Sequence, residues 1–205
     1  MRRIAVLLTC HNRREKTITC LTALYASVLP GGMTFDVYLV DDGSTDGTKE
    51  AVANAFPEVH VIVADGSLFW AAGSNTAWKA AIASATTYDY YLLLNDDTTV
   101  LPEFLQVFDQ DLNTINSKDV ILVGSTYSTP EMPVVSYGGR KLFKPGAPKS
   151  RLLIPDGEKP QACDLGNANV MLVSHSVVEK IGVLTNAGQA RIKQGGLSAG
   201  WVVVD

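Results

Sequence analysis

Two stretches decide how this chain folds: Phe35-Asp36-Val37-Tyr38-Leu39-Val40-Asp41-Asp42-Gly43-Ser44 and Tyr90-Tyr91-Leu92-Leu93-Leu94-Asn95-Asp96-Asp97. Each is a short apolar run ending in neighbouring carboxylates. A run of four to six β-branched, aromatic and Leu residues reads as a buried strand. Crowded carboxylates repel one another, so a pair placed just beyond a buried strand calls for a cation or a ligand rich in donors. A divalent metal carrying a diphosphate fits that requirement, and so does a nucleoside.

Working outward, Ile4–Cys10, Val59–Ala64 and Val120–Val123 read as further strands. Apolar residues at Ile18, Leu21, Leu24, Tyr25 and Val28 have helical spacing over Arg14–Val28. Thr48–Phe56 reads as a helix capped by Thr45 or Asp46 and ended before Pro57. Ala71–Ala85 is Ala-rich and helical in composition, and Leu101–Leu112 carries Pro102 near its first turn. Val170–Val173 reads as a strand, followed by a short helix over Ser176–Ile181 that Gly182 closes.

Strand and helix thus alternate through the first 126 residues, which predicts an α/β fold with a mostly parallel central sheet and helices on both faces. Ligands of such sheets bind beyond the carboxyl ends of the strands, where both acidic clusters fall. Residues 127–205 form the expected second half of the same domain. Six of the nine prolines lie between 130 and 160, with Arg140, Lys141, Lys144, Lys149 and Arg151 among them. That composition predicts an irregular or hairpin-containing insertion, suited to a lid or an acceptor platform.

Composition narrows the function. The 205 residues suffice for one generous domain or two small ones, and the formal net charge of -4 with no Lys/Arg block leaves no footprint for nucleic acid. No apolar run reaches the roughly 18 residues of a membrane span. The apolar start stops at Thr9, which is wrong for a signal peptide. Three cysteines without metal-ligand spacing (Cys10, Cys20, Cys163) suit reduced, buried thiols in a cytoplasmic protein. Nucleophile elbows, Walker loops and dinucleotide glycine fingerprints are missing, which argues against hydride transfer and ATP hydrolysis.

Three segments carry the candidate chemistry. In Asn95-Asp96-Asp97, one or two carboxylates would hold Mg2+ or Mn2+ and leave positions for phosphate oxygens; the plainer reading is an Asx turn ahead of a helix. In Asp41-Asp42-Gly43-Ser44, a carboxylate could accept a uracil or thymine imide N–H or a ribose hydroxyl, with turn chemistry as the alternative. In Gly66–Asn75, small residues at a helix start would let a ligand approach backbone N–H groups. Trp70 could stack on a base or sugar there, while Phe69 is expected in the core.

Together with Val6–Arg13, Val40–Thr48, Trp70–Trp78, Leu92–Thr98 and Cys163–Gly182, these segments resemble glycosyltransferase family 2, the inverting family with the GT-A fold. The resemblance runs from residue 4 to about 184. The Phe69–Asn75 stretch is most similar to the rhamnosyltransferase-like branch. It implies transfer of a sugar from a UDP- or dTDP-linked donor, dTDP-rhamnose included, to a hydroxyl of a saccharide or lipid-linked acceptor. Thr9, Asp41 and Asp42 resemble the residues that hold the nucleoside. Asp96 resembles the residue near ribose and metal, and Asp97 the metal ligand. Gly73 and Asn75 resemble contacts to the nucleotide-sugar, and Gly166 and Asn167 the strand entry facing sugar and acceptor. Polysaccharide assembly in the cytoplasm, docking at the inner face of the membrane and self-association are further expectations.

One departure stands out. The family's acceptor-side base belongs after Ile181-Gly182, yet Val183–Trp201 contains no Asp or Glu. The expectation is that the base loop is missing and the domain incomplete towards its C-terminal end. Rival expectations are a nucleotide-sugar-binding protein with impaired catalysis, and a sugar nucleotidyltransferase; the latter would want a glycine in the phosphate loop, and Thr9–Arg14 has none.

Overall fold

The computed structural model describes residues 1–128, 134–146, 148–157 and 159–183, with the backbone alone over 197–204. The chain runs β1 (Arg2–Cys10), α1 (Arg14–Tyr25), β2 (Met33–Asp41), α2 (Thr48–Ala55), β3 (His60–Val63), α3 (Phe69–Ala83), β4 (Tyr90–Leu94), α4 (Phe104–Thr114) and β5 (Ile121–Tyr127). Short strands follow: β6 (Val135–Tyr137), β7 (Gly139–Leu142), β8 (Ser150–Leu152), β9 (Gln161–Cys163) and β10 (Leu165–Gly166). The remainder is β11 (Val170–Ser174), α5 (His175–Ile181) and β12 (Leu197–Val204).

The main sheet has the order β3-β2-β1-β4-β11-β5-β12-β9, with β6 on β5. β1, β2, β3 and β4 are mutually parallel where they pair, and β11 is antiparallel to both β4 and β5. The chain steps outward from β1 to β3, then returns to lay β4 on the other side of β1. That reversal is the topological switch point, and it opens a crevice at the carboxyl ends of β1 and β4. Because β11 runs the other way, its first residue, Val170, sits opposite Leu94 and brings residues 167–169 to the same crevice.

The alternation along β1 shows why these strands read as unbroken apolar runs. Ile4, Val6 and Leu8 pack towards α1, α2 and α4, while Ala5 and Leu7 pack towards α3 and α5. A strand covered on both faces has no polar side to display. Helix ends differ from the sequence expectation by a few residues. α1 stops at Tyr25 rather than Val28, because the Ser27 Oγ turns back to the Leu24 carbonyl and the Val28 N–H donates to the Pro102 carbonyl. α4 begins at Phe104 rather than Leu101, since Phe104, Leu105, Phe108 and Leu112 form its buried stripe and Leu101 lies outside it.

The proline-rich insertion does contain a hairpin, β7–β8, which β10 extends into a three-stranded sheet. The three cysteines are buried free thiols; burial pushes Cys10 up to about 12 and Cys163 to about 11, so both stay protonated. No helix among the described residues is long and apolar enough to cross a membrane.

Asp111 is the odd residue of α4: it is buried, and its Oδ2 has no hydrogen-bond partner among the described residues. Burial pushes its carboxyl up to about 6. A raised acid binds its proton more tightly in the folded state, so stability falls as pH rises from the unfolded pKa of about 4 through 6. Asp111→Asn should therefore stabilise the protein by about 1–3 kcal/mol above pH 7 and lose that advantage below pH 4. Urea midpoints of both proteins across that range measure it.

Candidate active site

The crevice is built from the loops after β1, β2, β3 and β4, and side chains fasten those loops to one another. Asn12 adopts a positive φ of 52, a conformation its short amide tolerates. From there its N–H donates to Ser44 Oγ at 2.9 Å and its Oδ1 accepts the Thr45 N–H at 2.8 Å. Asp46 Oδ2 accepts the Arg14 N–H that opens α1, and Asp46 Oδ1 accepts the Thr48 N–H that opens α2.

Asp41 and Asp42 are both buried. Asp41 Oδ1 accepts the Ser44 N–H at 2.9 Å, closing the turn. Asp42, only 3% exposed, accepts backbone N–H groups from Gly66 (3.0 Å), Leu68 (3.0 and 3.3 Å) and Phe69 (2.9 Å). A carboxylate has about four lone-pair positions, and three backbone N–H groups take up most of them here. Asp42 therefore positions the turn between β3 and α3. Asp42 takes up the N–H groups of Gly66, Leu68 and Phe69 where β3 hands over to α3. The Asp42 carbonyl accepts from His11 Nδ1 at 2.5 Å, which leaves Nε2 to accept from Asn12 Nδ2.

The turn that Asp42 holds presents the aromatic pair. Phe69 has φ 54, a strained value for a bulky residue, and is 80% exposed rather than in the core. Trp70 is 39% exposed, and its indole N–H donates to Asn95 Oδ1 at 2.9 Å. Asn95, directly before Asp96 and Asp97, thus fixes a ring at the crevice edge. Gly73 is set by packing: a Cβ there would stand 2.2 Å from Thr9 Oγ1, so glycine is what lets α3 lie on β1. Asn75 is buried further along α3, and its Oδ1 has no partner among the described residues.

Asp96 and Asp97 follow β4. Asp96 is buried, and Thr17 Oγ1 donates to its Oδ2 at 3.4 Å. Arg13 Nη1 lies 2.8 Å from Asp97 Oδ2 and 3.4 Å from Asp96 Oδ1, and Lys16 Nζ lies 3.9 Å from Asp97 Oδ2. Burial pushes Asp96 up to about 6; Arg13 acts against that rise, and neighbouring Asp97 adds to it. The sequence expectations do not include Arg13, Lys16 or Thr17, which reach the acidic cluster from the loop after β1 and the first turns of α1. The Asn95 N–H donates to the Asn169 carbonyl at 2.9 Å, which ties the loop entering β11, and with it Asn167, to the acidic cluster.

The donor set fits a hard divalent ion. Asp96 and Asp97 offer only oxygens, and Mg2+ or Mn2+ takes one or two carboxylates with phosphate and water completing the shell. No cluster of three or more His, Cys, Asp or Glu suited to a metal exists among the described residues. Beside the carboxylates lies an open depression of about 370 Å3 lined by Asn12, Arg13, Arg14, Glu15, Lys16 and Asp46.

On the acceptor side, Asp164 is spoken for. Its Oδ2 accepts the Leu142 N–H at 2.8 Å and its Oδ1 pairs with Lys141 at 3.0 Å; the backbone bond and then the lysine lower its pKa. A carboxylate so stabilised is a poor base. The segment where the base is expected, Val183–Trp201, lies outside the described residues beyond Val183 apart from the backbone of 197–201.

The parallel half-sheet with carboxylates at its switch point defines an α/β class whose ligands sit beyond the carboxyl ends of the strands. Within it, the Glycosyl transferase family 2 model matches residues 5–156, and the chain belongs to that family. Solved structures agree on the fold. The mannosyltransferase PcManGT from Pyrobaculum calidifontis in complex with GDP-Man and Mn2+ is similar at 14% identity and TM-score 0.61, over 93% of this chain and 50% of that one. S. aureus TarS 1-349 in complex with UDP-GlcNAc is similar at 14% identity and TM-score 0.63, over 100% of this chain and 59% of that one. The chain therefore spans between 50% and 59% of the length of these two structures. No curated protein matches the sequence.

Replacing one acceptor oxygen of Asp42 tests the framework. Asp42→Asn turns an oxygen that accepts N–H groups into a donor and removes a charge-assisted bond worth about 1.5–3 kcal/mol. The variant should unfold at lower urea by about that free energy, and amides 66–69 should exchange faster with deuterium. Unchanged exchange there would refute the anchoring role.

Proposed function

We propose that this chain is an inverting glycosyltransferase, moving a sugar from a nucleoside-diphosphate sugar to a hydroxyl of a saccharide or lipid-linked acceptor. The observation that carries this reading is the Asp96–Asp97 pair at the switch point of the sheet, in contact with Arg13, which also lines an open depression. Family membership and the GT-A-like fold support it.

In this reading Asp97, with Asp96 behind it, holds Mg2+ or Mn2+, which neutralises the charge that develops on the departing diphosphate. The chain's residues do the positioning. Thr17 fixes the Asp96 carboxylate, and the backbone tie between Asn95 and Asn169 keeps the acidic loop in register with the acceptor side. The turn closed by Asp41 forms the nucleoside end of the crevice, and Thr9 lies at the foot of α3. Trp70, locked through Asn95, offers an aromatic face to the base or sugar ring, and Asn75, buried further along α3, shapes the nucleotide-sugar side of the same helix. Asn167 faces the transferred sugar from the β11 side. Inversion asks for a base on the attacking hydroxyl, and the pairing of Asp164 with Lys141 removes it from that role.

The donor is UDP- or dTDP-linked, and the Phe69–Asn75 stretch favours dTDP-rhamnose among such donors. Work in polysaccharide assembly in the cytoplasm at the inner face of a membrane fits the buried free thiols and a lipid-linked acceptor. A second reading, nucleotide-sugar binding without transfer, is favoured by the lack of any Asp or Glu in Val183–Trp201.

The two readings separate in one assay. Release of free nucleoside diphosphate from UDP-sugars and dTDP-rhamnose should require Mg2+ or Mn2+, and Asp97→Ala should lower turnover about 100- to 1000-fold while leaving the melting temperature nearly unchanged. Binding with no turnover in the parent protein would favour the second reading, and full turnover in Asp97→Ala would refute the metal role.

A further inference from the structure

The acidic cluster carries its own counter-charge. Asp96 and Asp97 bring two negative charges, and Arg13 and Lys16 bring two positive ones to the same oxygens. Arg13 touches both carboxylates through one guanidinium nitrogen, while 49% of its side chain is exposed and lines the open depression beside them. It therefore stands at the border between the two places where a ligand's charges would sit.

We propose that Arg13 is a resident counter-ion that holds the place of the divalent metal on Asp96 and Asp97 and gives it up when a diphosphate arrives. Metal and nucleotide then bind as a coupled pair. This inference rests on the reading of Asp96 and Asp97 as the metal carboxylates. The argument is charge balance. A bare divalent ion placed on these oxygens would meet the like charges of Arg13 and Lys16 within a few ångströms, leaving a surplus of two positive charges. The diphosphate of a nucleotide-sugar brings two negative charges and restores neutrality. It also offers the guanidinium paired oxygens, the geometry that arginine matches best. Arg13 already lines the depression as well as touching both carboxylates. The nucleotide thereby lifts a competitor from the metal site, and by linkage the metal tightens the nucleotide by the same factor.

The test measures Mn2+ binding directly, by electron paramagnetic resonance of free Mn2+, on the full chain with and without UDP or dTDP. The parent protein should bind Mn2+ alone weakly and tighten on it when nucleotide is present. Arg13→Gln, which removes the charge, should bind Mn2+ alone about tenfold more tightly and show a smaller gain from nucleotide. Arg13→Lys, which keeps a charge without the planar fork, should stay close to the parent and guards against loss of folding as the cause. Asp97→Asn should abolish Mn2+ binding in every background. If Asp97→Asn abolishes binding but Arg13→Gln binds Mn2+ alone no better than the parent, the counter-ion role is overturned and the metal reading stands. If Asp97→Asn leaves Mn2+ binding intact, the metal reading falls and this inference with it.

Discussion

The site depends on one buried carboxylate. Asp42 sits at the carboxyl end of β2 and accepts the backbone N–H groups of Gly66, Leu68 and Phe69. A charge this deep is tolerated only because its lone pairs are satisfied. The bonds fix where β3 hands over to α3, force Phe69 into a left-handed conformation and turn Trp70 towards Asn95. Asn95 in turn is bonded to the loop before β11 through its backbone and leads directly into Asp96 and Asp97. A single anion thus connects the β2 end of the crevice to Asp96 and Asp97 and to the loop before β11. Close packing supports the same geometry: α3 can rest on β1 only where Gly73 meets Thr9, and Gly43, with φ 70, would bring a Cβ to 2.7 Å from the Gly66 nitrogen.

Much of this is legible in the sequence, for identifiable reasons. Strands buried on both faces announce themselves as unbroken apolar runs, so β1, β2 and β4 can be read directly. Carboxylates just past such strands violate the ordinary rule that like charges spread apart, and that violation singles out Asp41, Asp42, Asp96 and Asp97 by position alone. The direction of β11 is not legible, because a five-residue apolar strand reads the same in either orientation.

Other features stay hidden because their causes are non-local. Nothing near Arg13 in sequence indicates that its guanidinium will meet a carboxylate 84 residues away. Phe69 looks like a core residue because hydrophobicity predicts burial on average; the turn imposed by Asp42 overrides that average. The packing reason for Gly73 is also hidden, because the side chain it must clear, Thr9, lies on a distant strand. Asp42 looks like a free carboxylate, and only the three-dimensional turn shows that most of its acceptors are taken up.

The resulting division of labour is unequal. Asp42 and Asp46 organise loops and the starts of helices, Asp164 braces the small sheet, and in the crevice Asp96 and Asp97 remain facing cations. The central claim is that these last two hold a divalent ion together with a nucleoside diphosphate. A crystal grown with Mn2+ and UDP or dTDP, measured for the anomalous signal of manganese, tests it most directly. The account predicts one manganese peak about 2.1 Å from an Asp97 oxygen, sharing diphosphate oxygens, with Arg13 no longer in contact with that carboxylate. A nucleotide bound in the crevice with manganese elsewhere, and Arg13 still seated on Asp97, would contradict it.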